Sequence, residues 1–87
     1  MSRNCRQAVL QASKKAKLSA TQKKAVQTAY DNADDHPIVW KAVEHMLRRR
    51  YERKTSKKMA ANFDWSTILD WLMTAMPMIL KLLFMFI

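Results

Sequence analysis

Residues 65–87 read WSTILDWLMTAMPMILKLLFMFI, and the fold turns on how this stretch is read. Seventeen of its 23 residues are apolar; the exceptions are Ser66, Thr67, Asp70, Thr74, Pro77 and Lys81. As one helix it would rise 1.5 Å per residue to about 35 Å, enough for a hydrocarbon core of about 30 Å. The cleaner part, residues 71–87, reaches about 26 Å, the short end of that range. Phe63, Trp65 and Trp71 stand at one end, Phe84 and Phe86 at the other. An indole suits a membrane interface, because its ring is apolar and its N–H seeks water. The expectation is a single C-terminal hydrophobic, transmembrane helix within residues 63–87, with Trp65 and Trp71 as interfacial anchors.

The polar exceptions are not scattered. Thr67, Asp70, Thr74, Pro77 and Lys81 follow one another at intervals of three, four, three and four. On a continuous helix they share about a quarter of the circumference. A charge in mid-membrane costs about 2.5–3.5 kcal/mol on insertion scales. Asp70 escapes this at the near interface, and Lys81 by snorkelling to the far side. Two readings stay open: a seam of no consequence, or one that meets other copies or lines a water-filled path. The second makes Thr67, Asp70, Thr74 and Lys81 the candidate oligomer or pore seam. Pro77 is expected to kink the helix and free the carbonyl of Met73.

Upstream the chemistry changes. The 87 residues carry a net charge of +9, with 16 Lys and Arg against 7 Asp and Glu. Residues 1–62 hold 15 of those cations and 5 of the anions, so the head is +10 and the remainder −1. Glycine is absent and there are only two prolines, which argues against a β-rich fold and against any glycine-built phosphate loop. The fold class expected is all-α, with a basic head of about three short helices over residues 1–54, a basic linker or helical junction over 55–62, and the hydrophobic helix over 63–87.

The first helix is expected over 4–17, with Cys5, Ala8, Val9, Ala12 and Ala16 on one face. The second, over 20–33, opens on Ser19 with Gln22 three residues on, a capping box, and turns Ala25, Val26, Ala29, Tyr30 and Ala33 to one side. The third, over 37–54, has Pro37 in its first turn after Asp35 or His36 as cap. Its stripe is Val39, Ala42, Val43, Met46 and Leu47, widened by Trp40 and Tyr51, opposite a mainly basic face. So many alanines make a thin core, expected to lean on a partner, a bilayer or self-association. A self-contained monomer is excluded on this reading, because the head has too little surface to cover the tail.

Arg48, Arg49, Arg50, Arg53, Lys54, Lys57 and Lys58 gather just before the tail and are the candidate phosphate or anionic-lipid contacts. Each cation near an anionic surface is worth about 1 kcal/mol. The positive-inside rule sets the head on the cytoplasmic side of a membrane. The first 30 residues hold no apolar run of the roughly 7–15 residues a signal peptide needs, so the tail is the expected membrane element.

Sites for catalysis are not expected. His36 and His45 lie outside any metal-ligand spacing, Asp34-Asp35 reads as a turn, and Cys5 reads as a spectator near a loosely held N-terminus. No cofactor or metal is implied. The expected function is that of a small non-enzymatic membrane-anchored protein, either a structural assembly component or a membrane-active, oligomeric pore-former. Its partners are an anionic bilayer and further copies or a larger assembly. The alternatives are a basic module tethering nucleic acid or an acidic protein, and a subunit of a soluble helical assembly whose core is made of tails.

Overall fold

The break between Thr74 and Met76 shapes the molecule. In the computed structural model, which describes residues 3–86, the apolar tail is not one helix. A 3-10 turn (Trp65–Ile68) leads into α4 (Leu69–Thr74), and a second helix, α5 (Met76–Phe86), leaves at 86° to the first segment. The cause is local. Pro77 has no N–H to give the carbonyl of Met73, and its ring crowds that turn. The chain ends α4 at Ala75, whose N–H donates to the Trp71 carbonyl at 3.0 Å. It restarts with Pro77 in the first turn of α5, where a missing N–H costs nothing. The Ala75 carbonyl then accepts from the N–H groups of Met78 and Ile79, both at 3.1 Å. The kink expected at Pro77 is thus a full corner. Ile87 and the Phe86 side chain lie outside the described residues.

Three helices precede the tail: α1 (Arg3–Lys15), α2 (Ala20–Asp31) and α3 (Pro37–Thr55). The described residues are all helical or irregular, with no strand. The capping box is present in both directions. The Gln22 N–H donates to Ser19 Oγ at 3.2 Å, and the Ser19 N–H to Gln22 Oε1 at 3.0 Å. His36 occupies the cap position of α3 without a side-chain capping bond, and Pro37 follows in the first turn. At the other end Ser56 adopts φ 58°, the left-handed conformation glycine usually supplies. That reversal makes residues 56–64 a connector rather than a continuation of α3.

The tail folds back onto the head. α4 packs on α1, and α5 packs on α2 and α3. Trp65, Leu72, Met76, Ile79 and Leu83 are fully buried, in one cluster with Val9, Val26, Trp40, Val43 and Leu47. This differs from the expectation that the head cannot cover the tail. A corner at Pro77 replaces one long apolar rod by two short pieces. The alanines of α1 and α2 (Ala8, Ala12, Ala29) and Ala33 in the turn after α2 bury little area themselves but leave room for those pieces. The longest extent is 34 Å and the radius of gyration 12.0 Å. That radius is what a compact chain of this length should have, about 12 Å.

Candidate functional site

The cations before the tail divide into two groups with different work. Arg48 turns inward to the connector. Its Nη1 donates to the carbonyls of Met59 at 2.8 Å and Ala60 at 3.3 Å, and its Nη2 lies 3.7 Å from Glu44. The Glu52 carboxylate accepts the Met59 N–H at 2.6 Å. Two charged residues of α3 thus clamp the backbone that carries the buried Met59 side chain. Arg49, Lys57 and Lys58 are exposed, the lysines on the connector.

Arg50, Arg53 and Lys54 share one face at i, i+3 and i+4. With Trp71, Thr74 and Ala75 they line a recess of about 250 Å³ between the end of α3 and the corner of the tail. Cations are favoured at this place, where the last carbonyls of α3 carry the negative end of its dipole. None of the three forms an ion pair among the described residues. Arg50 Nη1 instead reaches the Met78 thioether, at 3.1 Å from Sδ. Trp71 forms one wall and stands edge-on to Tyr51, ring centres 5.3 Å apart; Tyr51 in turn meets Phe63 at 5.9 Å.

The seam residues do not form a single line. Thr67 donates its hydroxyl to the Asp64 carbonyl at 2.7 Å, and Thr74 donates to the Asp70 carbonyl at 3.2 Å. Thr67, Asp70 and Thr74 are all exposed on the first tail segment; Lys81 is exposed on α5, beyond the 86° corner. Of the two tryptophans read as interfacial anchors, Trp65 is 1% exposed and packs in the core, while Trp71 is half-buried at the recess.

Two further groups have perturbed protonation. Asp64 caps the 3-10 turn, accepting from both the hydroxyl and the N–H of Ser66. Those bonds, with a smaller contribution from Asn4, hold its carboxyl below the usual value. Cys5 is buried in α1 and not loosely held. Burial, reinforced by Glu44 and opposed by Arg48, pushes its thiol up to about 12. Among the described residues no three His, Cys, Asp or Glu gather as a metal site.

The wall formed by Trp71 and Thr74 has no signature in the sequence. It exists because the chain reverses at Ser56 and brings the start of the tail back beside the end of α3. Compared with known proteins, the chain matches no family model, no curated protein and no solved structure.

Proposed function

We propose that the chain is a small non-enzymatic membrane-active protein. It docks on anionic lipid through the cations at the end of α3 and delivers its apolar tail into the bilayer, where copies associate. The observation that carries this reading is the tail pair itself. No single helix is long and apolar enough to cross a membrane, but Trp65–Thr74 and Met76–Met85 together pass by length and composition. A bilayer offers their apolar side chains the same relief from water that the protein interior offers. Opening the corner realigns Thr67, Asp70, Thr74 and Lys81 into one polar seam, which faces other copies or a water-filled path. The head then lies against the anionic, cytoplasmic leaflet.

Dye release from phosphatidylcholine vesicles, with and without phosphatidylglycerol, tests this. Release is expected only with the anionic lipid. Lys81→Leu is expected to abolish release while vesicle binding persists. Unchanged release in that variant sinks the pore, and failure of the chain to bind either vesicle sinks the membrane reading altogether.

A second reading has one observation in its favour. With the tail folded in, the unpaired cations of α3 are prominent on the surface, and a phosphodiester backbone would suit them. It expects full-length protein to bind a nucleic acid duplex with an affinity that falls steeply with salt.

A further inference from the structure

We infer that the recess between the end of α3 and the tail corner is a discrete site for one phosphate group, of the kind an anionic lipid headgroup carries. The inference rests on the membrane reading but is narrower than it: three of the seven clustered cations form the site and the others do not. Arg48 is already spent on the Met59 and Ala60 carbonyls. Arg49, Lys57 and Lys58 do not line the recess.

Arg50, Arg53 and Lys54 bring two guanidinium forks and an ammonium to the lining of one recess, unneutralised by any ion pair among the described residues. Forked donors of this type bind phosphate oxygens in pairs, with charge-assisted bonds stronger than neutral ones. Trp71 gives the recess an aromatic wall beside the three cations. The volume of about 250 Å³ is far above the roughly 10–15 Å³ that one water needs on the same measure, so a phosphate has room.

The site also touches one of the contacts between α3 and α5. The present partner of Arg50 is a thioether sulfur, a weak acceptor. A phosphate oxygen outcompetes it. Met78 follows Pro77 in the first turn of α5, so a headgroup seated here removes a contact that pins α5 to α3.

The test uses the full chain and glycerol 3-phosphate as a soluble headgroup, followed through the Trp71 indole and arginine side-chain resonances. One variant combines Arg50→Gln, Arg53→Gln and Lys54→Gln. The control removes the same charge elsewhere, with Lys14→Gln, Lys15→Gln and Lys17→Gln. Saturable binding is expected, weakened about tenfold or more by the recess variant and less than about twofold by the control. Equal weakening by both overturns the site and leaves diffuse attraction; so does vesicle binding with no saturable uptake of glycerol 3-phosphate. Flotation with phosphatidylcholine–phosphatidylglycerol vesicles separates the two claims. Local binding of glycerol 3-phosphate without vesicle binding keeps a phosphate site and rejects the membrane. Displacement of glycerol 3-phosphate by an oligonucleotide but not by vesicles overturns the lipid assignment.

Discussion

Trp40 closes the end of α2 from outside. The last carbonyls of a helix have no partner within it, and the Trp40 indole N–H donates to that of Ala29 at 3.0 Å. One side chain therefore fills the core and satisfies a buried acceptor. Cys5 plays the opposite part, as a polar atom kept neutral by its surroundings. Its folded pKa lies above the unfolded one. The stability this difference reflects is fully present below the ordinary thiol value near 9.0, and it is lost as pH rises from there toward about 12. In a Cys5→Ala variant the alkaline loss of stability between those limits is expected to shrink, as read by urea unfolding at stepped pH; an unchanged alkaline slope contradicts the assignment. The same burial should leave the native thiol unreactive until the chain opens. The Trp40 bond and the raised Cys5 pKa are not visible from spacing. Spacing sets Cys5 on the apolar face of α1 with Ala8, Val9 and Ala12, but the covering of that face by the tail, which completes its burial, is a long-range effect.

The local elements were largely readable, because their causes are local. Ser19 with Gln22, Pro37 after His36, and the stripe from Val39 to Leu47 each act within a few residues, and the three head helices follow them. The tail was readable as to residue type and misleading as to continuity. Intervals of three and four describe a seam only if the helix runs on, and Pro77 with Ala75 ends it. Lys81 consequently stands apart from Thr67, Asp70 and Thr74. Pro77→Ala gives back the N–H and removes the ring that crowds the Met73 turn, so a continuous helix from α4 into α5 begins to compete with the corner. The folded chain is expected to lose about 0.5–1 kcal/mol, the usual value of a well-placed proline. Binding to anionic vesicles should strengthen. A variant with unaltered stability and weaker vesicle binding would show that the corner is not what restrains the tail. Spacing alone does not separate linker from helix in the connector, and the deciding features are the reversal at Ser56 and the clamp of Arg48 and Glu52 on Met59.

At the scale of the whole molecule, hydropathy alone does not distinguish a membrane from a protein interior, since both relieve apolar side chains of water. The tail satisfies either, and the head, thin as its alanines make it, is completed by Trp65, Leu72, Met76, Ile79 and Leu83. Truncation to residues 1–62 is accordingly expected to abolish the cooperative thermal transition of the full chain, followed by circular dichroism. A fragment that still melts cooperatively at a similar temperature would mean that the head needs no tail. The same interdependence makes membrane entry a rearrangement rather than the docking of a preformed anchor. Spin labels at Lys24 of α2 and Lys81 of α5, in a Cys5→Ala background, measure it most directly. In buffer a single narrow distance within the 34 Å extent of the molecule is expected, because α2 and α5 are packed together. With phosphatidylglycerol-containing vesicles it should lengthen as α5 leaves the head. A distance that stays narrow and short while the protein is bound to vesicles would contradict tail delivery.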